Sequence, residues 1–337
     1  MACAPVDGPP PSSASSNARG DAGTAPAVTV VSLEPEASAF WAFARGQPLD
    51  KQLVLWDQYV ERRHPALYDQ VVWETATHAD AAATKRRLLA ARFAEEASIA
   101  DELPADFRAF EQLARRHVAQ FRARFPDTAD VPIYALLSPR FDAKGAVLDE
   151  GSGPRVVLAF GVDTIALHHE VLPILFPHEL FHVHHATVSG FLDDGVMPGV
   201  DLVVPMWEEG LATYVASLFV PGASDGALLL QESLGRFPAD DLPALAGAFL
   251  ADAGTPAIDR EHPETFARWF EAGVPSVTPT TPNRSAYLLG LHVVRRIAQR
   301  ASLDAMVHWR VAQAHDEALA ALRAIAAGPA PRYPPPP

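Results

Sequence analysis

His178-Glu179-Leu180-Phe181-His182 constrains this chain more than any other stretch. On a helix, two histidines four residues apart lie on one face, about one turn from each other. Their imidazoles can then share one metal ion, and the glutamate between them can reach a water beside it. Such a helix cannot make the site alone. A catalytic zinc usually takes three protein ligands, so another segment must fold against this face and bring the third. Three fixed residues in five also arise by accident, and the rest of the sequence has to supply that segment.

The local pattern places the motif on a helix from about Val171 to Val188. Pro173 fits its first turn, and Pro177 is expected to mark where the motif helix begins, because proline disturbs a helix interior. Upstream, Val131 to Leu137 and Arg155 to Val162 read as strands, the second a short apolar run. Pro139 to Gly153 between them is turn-rich. Asp163 and Thr164 offer helix N-caps. Before residue 129 the chain reads as helices. Phe40, Trp41 and Phe43 begin one, and Leu53, Leu55, Trp56, Tyr59 and Val60 continue at helical spacing to the break at Pro65. Lys85 to Glu96 and Asp106 to Arg124 repeat the pattern, with Phe107, Phe110, Leu113, Val118 and Phe121 as core candidates. After Gly190 the chain reads as helical with proline-rich breaks.

A third histidine from the same segment is excluded. The spacing H-E-x-x-H-x-x-G-x-x-H would need glycine and histidine where His185 and Val188 stand. His185 lies too far along an unbroken helix for an easy shared chelate, and His184 and His185 read instead as histidines behind the metal ligands or at the surface, with contact to metal or substrate as the alternative. The next helical segment, Pro205-Met206-Trp207-Glu208-Glu209-Gly210-Leu211-Ala212-Thr213-Tyr214, carries two carboxylates in apolar surroundings. Glu208 reads equally well as an exposed residue near a helix N-terminus. Glu209 stands beside Gly210, which permits the close backbone approach that a packed helix pair uses.

The combination of H-E-x-x-H with a later W-x-E-G-L-A-x-Y-like segment resembles the gluzincin metallopeptidases. It is most similar to a bacterial group of predicted zinc-dependent proteases, in which strands precede the motif helix and a later helix carries Tyr-x-x-Gly, here Tyr287-Leu288-Leu289-Gly290. The resemblance covers roughly residues 131–300. It implies that His178, His182 and Glu209 bind Zn2+, with Glu208 as the fallback ligand. It also implies that Glu179 is the general base that activates water and returns a proton to the leaving amine. Tyr287 would donate to the developing oxyanion. The strand ending near Phe160 would be the edge along which an extended peptide or protein substrate pairs.

The implied fold class is α+β and predominantly helical, with a zincin-like core and a small antiparallel sheet packed on the motif helix. Residues 1–28 are expected to be a disordered tether and 329–337 a disordered tail. Residues 29–328 would form the metallopeptidase domain, with 29–128 a helical N-terminal part and 129–328 the catalytic core. The chain departs from many gluzincins at Thr213, where an acidic residue would orient a metal histidine. Asp193, Asp194 or Asp201 is expected to give that support. The interval from His182 to Glu209 is longer than in the aminopeptidase branch, so aminopeptidase specificity is not implied.

Other features set the function classes. A net charge of −14 argues against nucleic acid or an anionic membrane surface as partner. Cys3 is the only cysteine, which excludes a disulfide within the chain. Met1-Ala2-Cys3 followed by a Pro/Ser/Ala/Gly-rich stretch to Ala27 looks like the mature start of a bacterial lipoprotein, tethered to the membrane through a lipidated Cys3 in the cell envelope or periplasm. The alternative is a cytoplasmic protein with an incidental cysteine. A serine hydrolase is set aside, because the G-x-S-x-G match at Gly222-Ala223-Ser224-Asp225-Gly226 follows a helical segment and not the strand that a nucleophile elbow needs. The competing function is a catalytically inactive envelope scaffold that keeps the fold. A structural zinc, however, would not need Glu179 and usually fills four positions with Cys or His.

Overall fold

The computed structural model describes residues 28–74, 81–169, 171–189, 200–257, 263–278, 280–331 and 333. Cys3 and the proposed tether up to residue 27 lie outside them, as do Gly190, Asp193, Asp194 and the end of the proline-rich tail. No helix among the described residues is long and apolar enough to cross a membrane.

The chain enters through strand β1 (Val30–Ser32) and continues as helices α1 (Glu34–Ala44) and α2 (Leu49–Tyr59). A turn, α3 (Pro65–Leu67), runs on as a π-helical stretch over Tyr68–Val72, and α4 (Ala81–Glu96) and α5 (Leu103–Arg124) follow. The aromatic positions expected to build core do so. Phe40 packs edge-on against Trp56 at 5.4 Å, and Phe93 lies 5.1 and 5.5 Å from those two rings. Phe43 is the exception; it stays exposed and stacks on Tyr59.

Strands β2 (Ile133–Leu136), β3 (Ala143–Leu148) and β4 (Arg155–Gly161) complete a four-stranded sheet in the order β1-β2-β4-β3. The sheet is mixed, not antiparallel as expected. β1, β2 and β4 run parallel and only β3 is antiparallel, with Gly145 opposite Leu158. β2 and most of β4 are buried, as suits the inner strands of a parallel sheet. β4 is therefore an interior strand, which corrects its assignment as the substrate-pairing edge. The edge beside the motif is β3, in the segment read as turns. Ala-Lys-Gly-Ala-Val-Leu lacks a clean apolar alternation, and its ladder to β4, not its own propensity, makes it a strand.

The remaining helices are α6 (Val162–His168), α7 (Leu172–Ser189), α8 (Val203–Phe219), α9 (Asp225–Leu228), α10 (Glu232–Gly235), α11 (Leu242–Asp252), α12 (Pro263–Phe270), α13 (Ser285–Ile297), α14 (Leu303–Val307) and α15 (Val311–Ala327). Asp163 and Thr164 do not cap α6, whose N-cap position is Gly161. They instead bind Ser138 just beyond β2: Asp163 accepts from its backbone N–H at 2.7 Å and Thr164 donates to its carbonyl at 2.7 Å. Pro177 does not begin the motif helix either; it lies inside α7. Its missing N–H and its ring disturb the helix only at the carbonyl of Pro173, within the first turns, so the helix carries on. A stack of Phe110, Phe160 and Phe176, with centroids 4.7–5.2 Å apart, fixes α7 against β4 and α5.

α8 packs on α7 on one side and on α13 on the other. The α8–α13 crossing is a backbone contact. A Cβ on Gly210 would fall 2.2 Å from the carbonyl carbon of Gly290, and one on Gly290 would fall 2.2 Å from the carbonyl oxygen of Met206. The two glycines singled out by the sequence thus meet each other. Gly210→Ala and Gly290→Ala should each destabilise the fold by roughly 1–3 kcal/mol or more. Gly247→Ala, in α11 with open space around it, should stabilise by about 0.5–1 kcal/mol. Urea denaturation checks the three variants; similar effects at all three would contradict the crossing.

His292 on α13 is buried, and burial together with the Arg295 charge outweighs Asp225 and pushes its imidazole down to about 4. Between pH 6.5 and 4 the unfolded chain takes up a proton that the folded chain refuses, so this residue costs stability as pH falls. His292→Gln is expected to shrink the stability difference between pH 7.5 and pH 4.5 by about 2–3 kcal/mol, read from denaturation at both values.

Candidate metal centre

Helical geometry puts His178 and His182 one turn apart on the face of α7 that meets α8. Their rings lie 4.8 Å apart at 77°, and their Nε2 atoms 3.1 Å apart. Glu209, from α8, brings Oε2 to 3.1 Å from His178 Nε2 and 3.5 Å from His182 Nε2. Among the described residues this is the one group of three such side chains whose ligand atoms converge.

The triangle fits a metal ion. Tetrahedral zinc with ligands at about 2.0–2.1 Å holds its donor atoms roughly 3.3 Å apart. Two nitrogens and one carboxylate oxygen at 3.1–3.5 Å match that spacing. Without a cation the three groups are strongly coupled. Burial opposes the charged form of His182, but the Glu209 carboxylate, with Glu179 and Glu208 behind it, overrides this and lifts the imidazole to about 9. Burial likewise opposes ionisation of Glu209, yet His182 and His178 hold its carboxyl far below the usual carboxylate range.

The triad opens on a cavity of about 350 Å³. Glu179 lines it, and burial raises its carboxyl despite the neighbouring imidazoles. Glu208 also lines the cavity and stands outside the triad, with its carboxyl pushed up to about 7, first by burial. Tyr287 reaches the cavity from α13, and burial raises its phenol well above the ordinary range. The sequence-predicted residues His178, Glu179, His182, Glu209 and Tyr287 are therefore brought together.

Other expected residues point elsewhere. His184 is buried among Phe121, Phe125 and Phe181, with Nδ1 3.2 Å from the Thr128 hydroxyl. His185 is buried and stacks on Phe181 at 5.5 Å, and burial pushes its imidazole down to about 3. Asp201 does not support a metal histidine. Its Oδ1 accepts from Val203 N–H at 3.0 Å at the start of α8, and Oδ2 lies 3.0 Å from His315 Nε2. Asp193 and Asp194 lie outside the described residues.

Several cavity residues escaped sequence reading. Asp142, Lys144 and Gly145 come from the missed strand β3 and the turn before it, and Leu228–Leu230 from the end of α9 and the turn after it. Arg284 comes from the turn just before α13, and its guanidinium lies 4.3 Å from the Tyr287 ring centroid. The one available signal for Arg284 was its place a helical turn before Tyr287. Compared with protein-family models, curated proteins and solved structures, the chain shows no match.

Glu209→Ala should lower bound metal per chain much more than Glu208→Ala, measured by elemental analysis after dialysis. The reverse order would move the ligand by one residue.

Proposed function

We propose that this protein is a zinc-dependent peptidase of gluzincin type, built on a zincin-like core. The observation that carries the reading is the His178–His182–Glu209 triangle with Glu179 on the same cavity wall. The donor set of two imidazoles and one carboxylate suits zinc and leaves a coordination position free. Zinc bound there would polarise a substrate carbonyl and make water acidic enough to attack near neutral pH.

The chain's own groups fill the other roles. Glu179 accepts the proton of the attacking water and passes it to the departing amine nitrogen. Its burial suits this task, because a raised pKa makes the carboxylate a better acceptor for the proton of water. Tyr287, protonated at any working pH, donates a hydrogen bond to oxygen as negative charge develops there. The outer strand β3, whose Lys144 and Gly145 line the cavity, offers backbone groups on which an extended peptide can add as a further strand.

Glu179→Gln tests the reading. Both forms are expected to bind close to one zinc per chain, and casein or peptide cleavage should fall by roughly 10²–10⁴-fold in the variant. Equal cleavage by the two forms, or no bound metal in either, would overturn the assignment.

A further inference from the structure

The cavity contains two cations, and they are not equivalent. Lys144 is ion-paired with Glu74. Arg284 is half-buried and has no carboxylate within 4 Å among the described residues. Asp142 and Glu209, whose charges also reach it, lie beyond ion-pair distance. Other sheltered arginines are paired: Arg295 makes a bidentate contact with Asp225 at 2.6 and 2.7 Å, and Arg268 meets Asp252 at 2.6 Å. The Arg284 guanidinium lies over the Tyr287 ring, 4.3 Å from its centroid, and its five donors have no carboxylate acceptor within 4 Å among the described residues.

The backbone holds this arginine in place at a cost. Arg284 has φ +60° and Leu230 has φ +51°, and both line the cavity. Neither is a residue type that favours the left-handed region, where each costs of order 1–2 kcal/mol. The two turns are tied together, because Gln231 Nε2 donates to the Asn283 carbonyl at 3.2 Å. Strain of this kind persists where surrounding structure enforces it, and it gathers at ligand clamps. The clamp sets a fixed guanidinium, without a carboxylate partner among the described residues, and an apolar wall of Leu228–Leu230 around one space beside the His178–His182–Glu209 triad.

We propose that Arg284 selects substrates by pairing with a carboxylate of the bound peptide, either its C-terminal carboxylate or an Asp or Glu side chain. This rests on the peptidase reading of the same cavity. A planar guanidinium meets a carboxylate through two parallel hydrogen bonds, and in sheltered surroundings this pairing separates charged from neutral ligands.

The test uses the full chain loaded with zinc and carrying Glu179→Gln, so that peptides bind without turnover. Calorimetry compares acetyl-Ala-Leu-Ala as acid and as amide, and acetyl-Ala-Glu-Ala amide with acetyl-Ala-Gln-Ala amide. In at least one pair the charged member is expected to bind about tenfold or more tightly, and that pair names the source of the carboxylate. Adding Arg284→Met should abolish the difference, and Arg284→Lys should keep part of it. Thermal melts establish that each variant is folded, and Arg284→Gln takes the place of Arg284→Met in the comparison if the latter does not fold. Equal binding within both pairs overturns the proposal. A preference that survives Arg284→Met also overturns it, because the carboxylate would then sit on the metal. Hydrolysis by the unmodified chain without discrimination sinks the role of Arg284 alone. Discrimination without hydrolysis sinks the peptidase reading and leaves Arg284 as a carboxylate-binding residue.

Discussion

The candidate site depends on two helix backbones in direct contact. Gly210 of α8 and Gly290 of α13 touch with no space for a side chain on either. Glu209 directly precedes one glycine, and Tyr287 lies a turn before the other. The crossing therefore fixes the distance between Glu209 and the tyrosine and arginine that face it. Any side chain at the crossing would separate the helices and carry Glu209 away from its cavity partners, α7 included.

The sheet and its aromatic cover hold the other half of the site. Phe160 from β4, Phe110 from α5 and Phe176 from α7 form one packed stack, two residues before His178. That stack keeps α7 seated although Pro177 removes one of its hydrogen bonds. β3 joins β4 at the outer side and so lies along the cavity. The N-terminal helices act through α5, which packs against both α7 and β1.

Charge explains why these groups stay together. Glu179, Glu208 and Glu209 crowd one small cavity with two imidazoles. The coupling that depresses Glu209 and raises His182 shows how strongly this cluster favours positive charge at its centre.

Much of this was legible in sequence because it depends on local period. The i, i+4 spacing of His178 and His182, the helical runs carrying Phe40, Trp56 and Phe107, and the β2 and β4 strands follow from rules that act within one element. Gly210 announced a close approach, though not that Gly290 is its partner. Local rules misjudged Pro177, Asp163 and Thr164, where packing and a contact to Ser138 prevailed over position preferences. They also missed β1 and β3, because a short or weakly patterned segment becomes a strand only when a neighbour offers a ladder. The sequence by itself determined a helix with two imidazoles and a carboxylate on one face, and a second helix able to come close. Only the tertiary structure decided that Glu209 and not Glu208 completes the triangle, that β3 is the outer strand beside the cavity, and that Arg284 reaches the cavity with no carboxylate partner among the described residues. Those outcomes depend on how helices rotate and turns close in space, which no local pattern encodes.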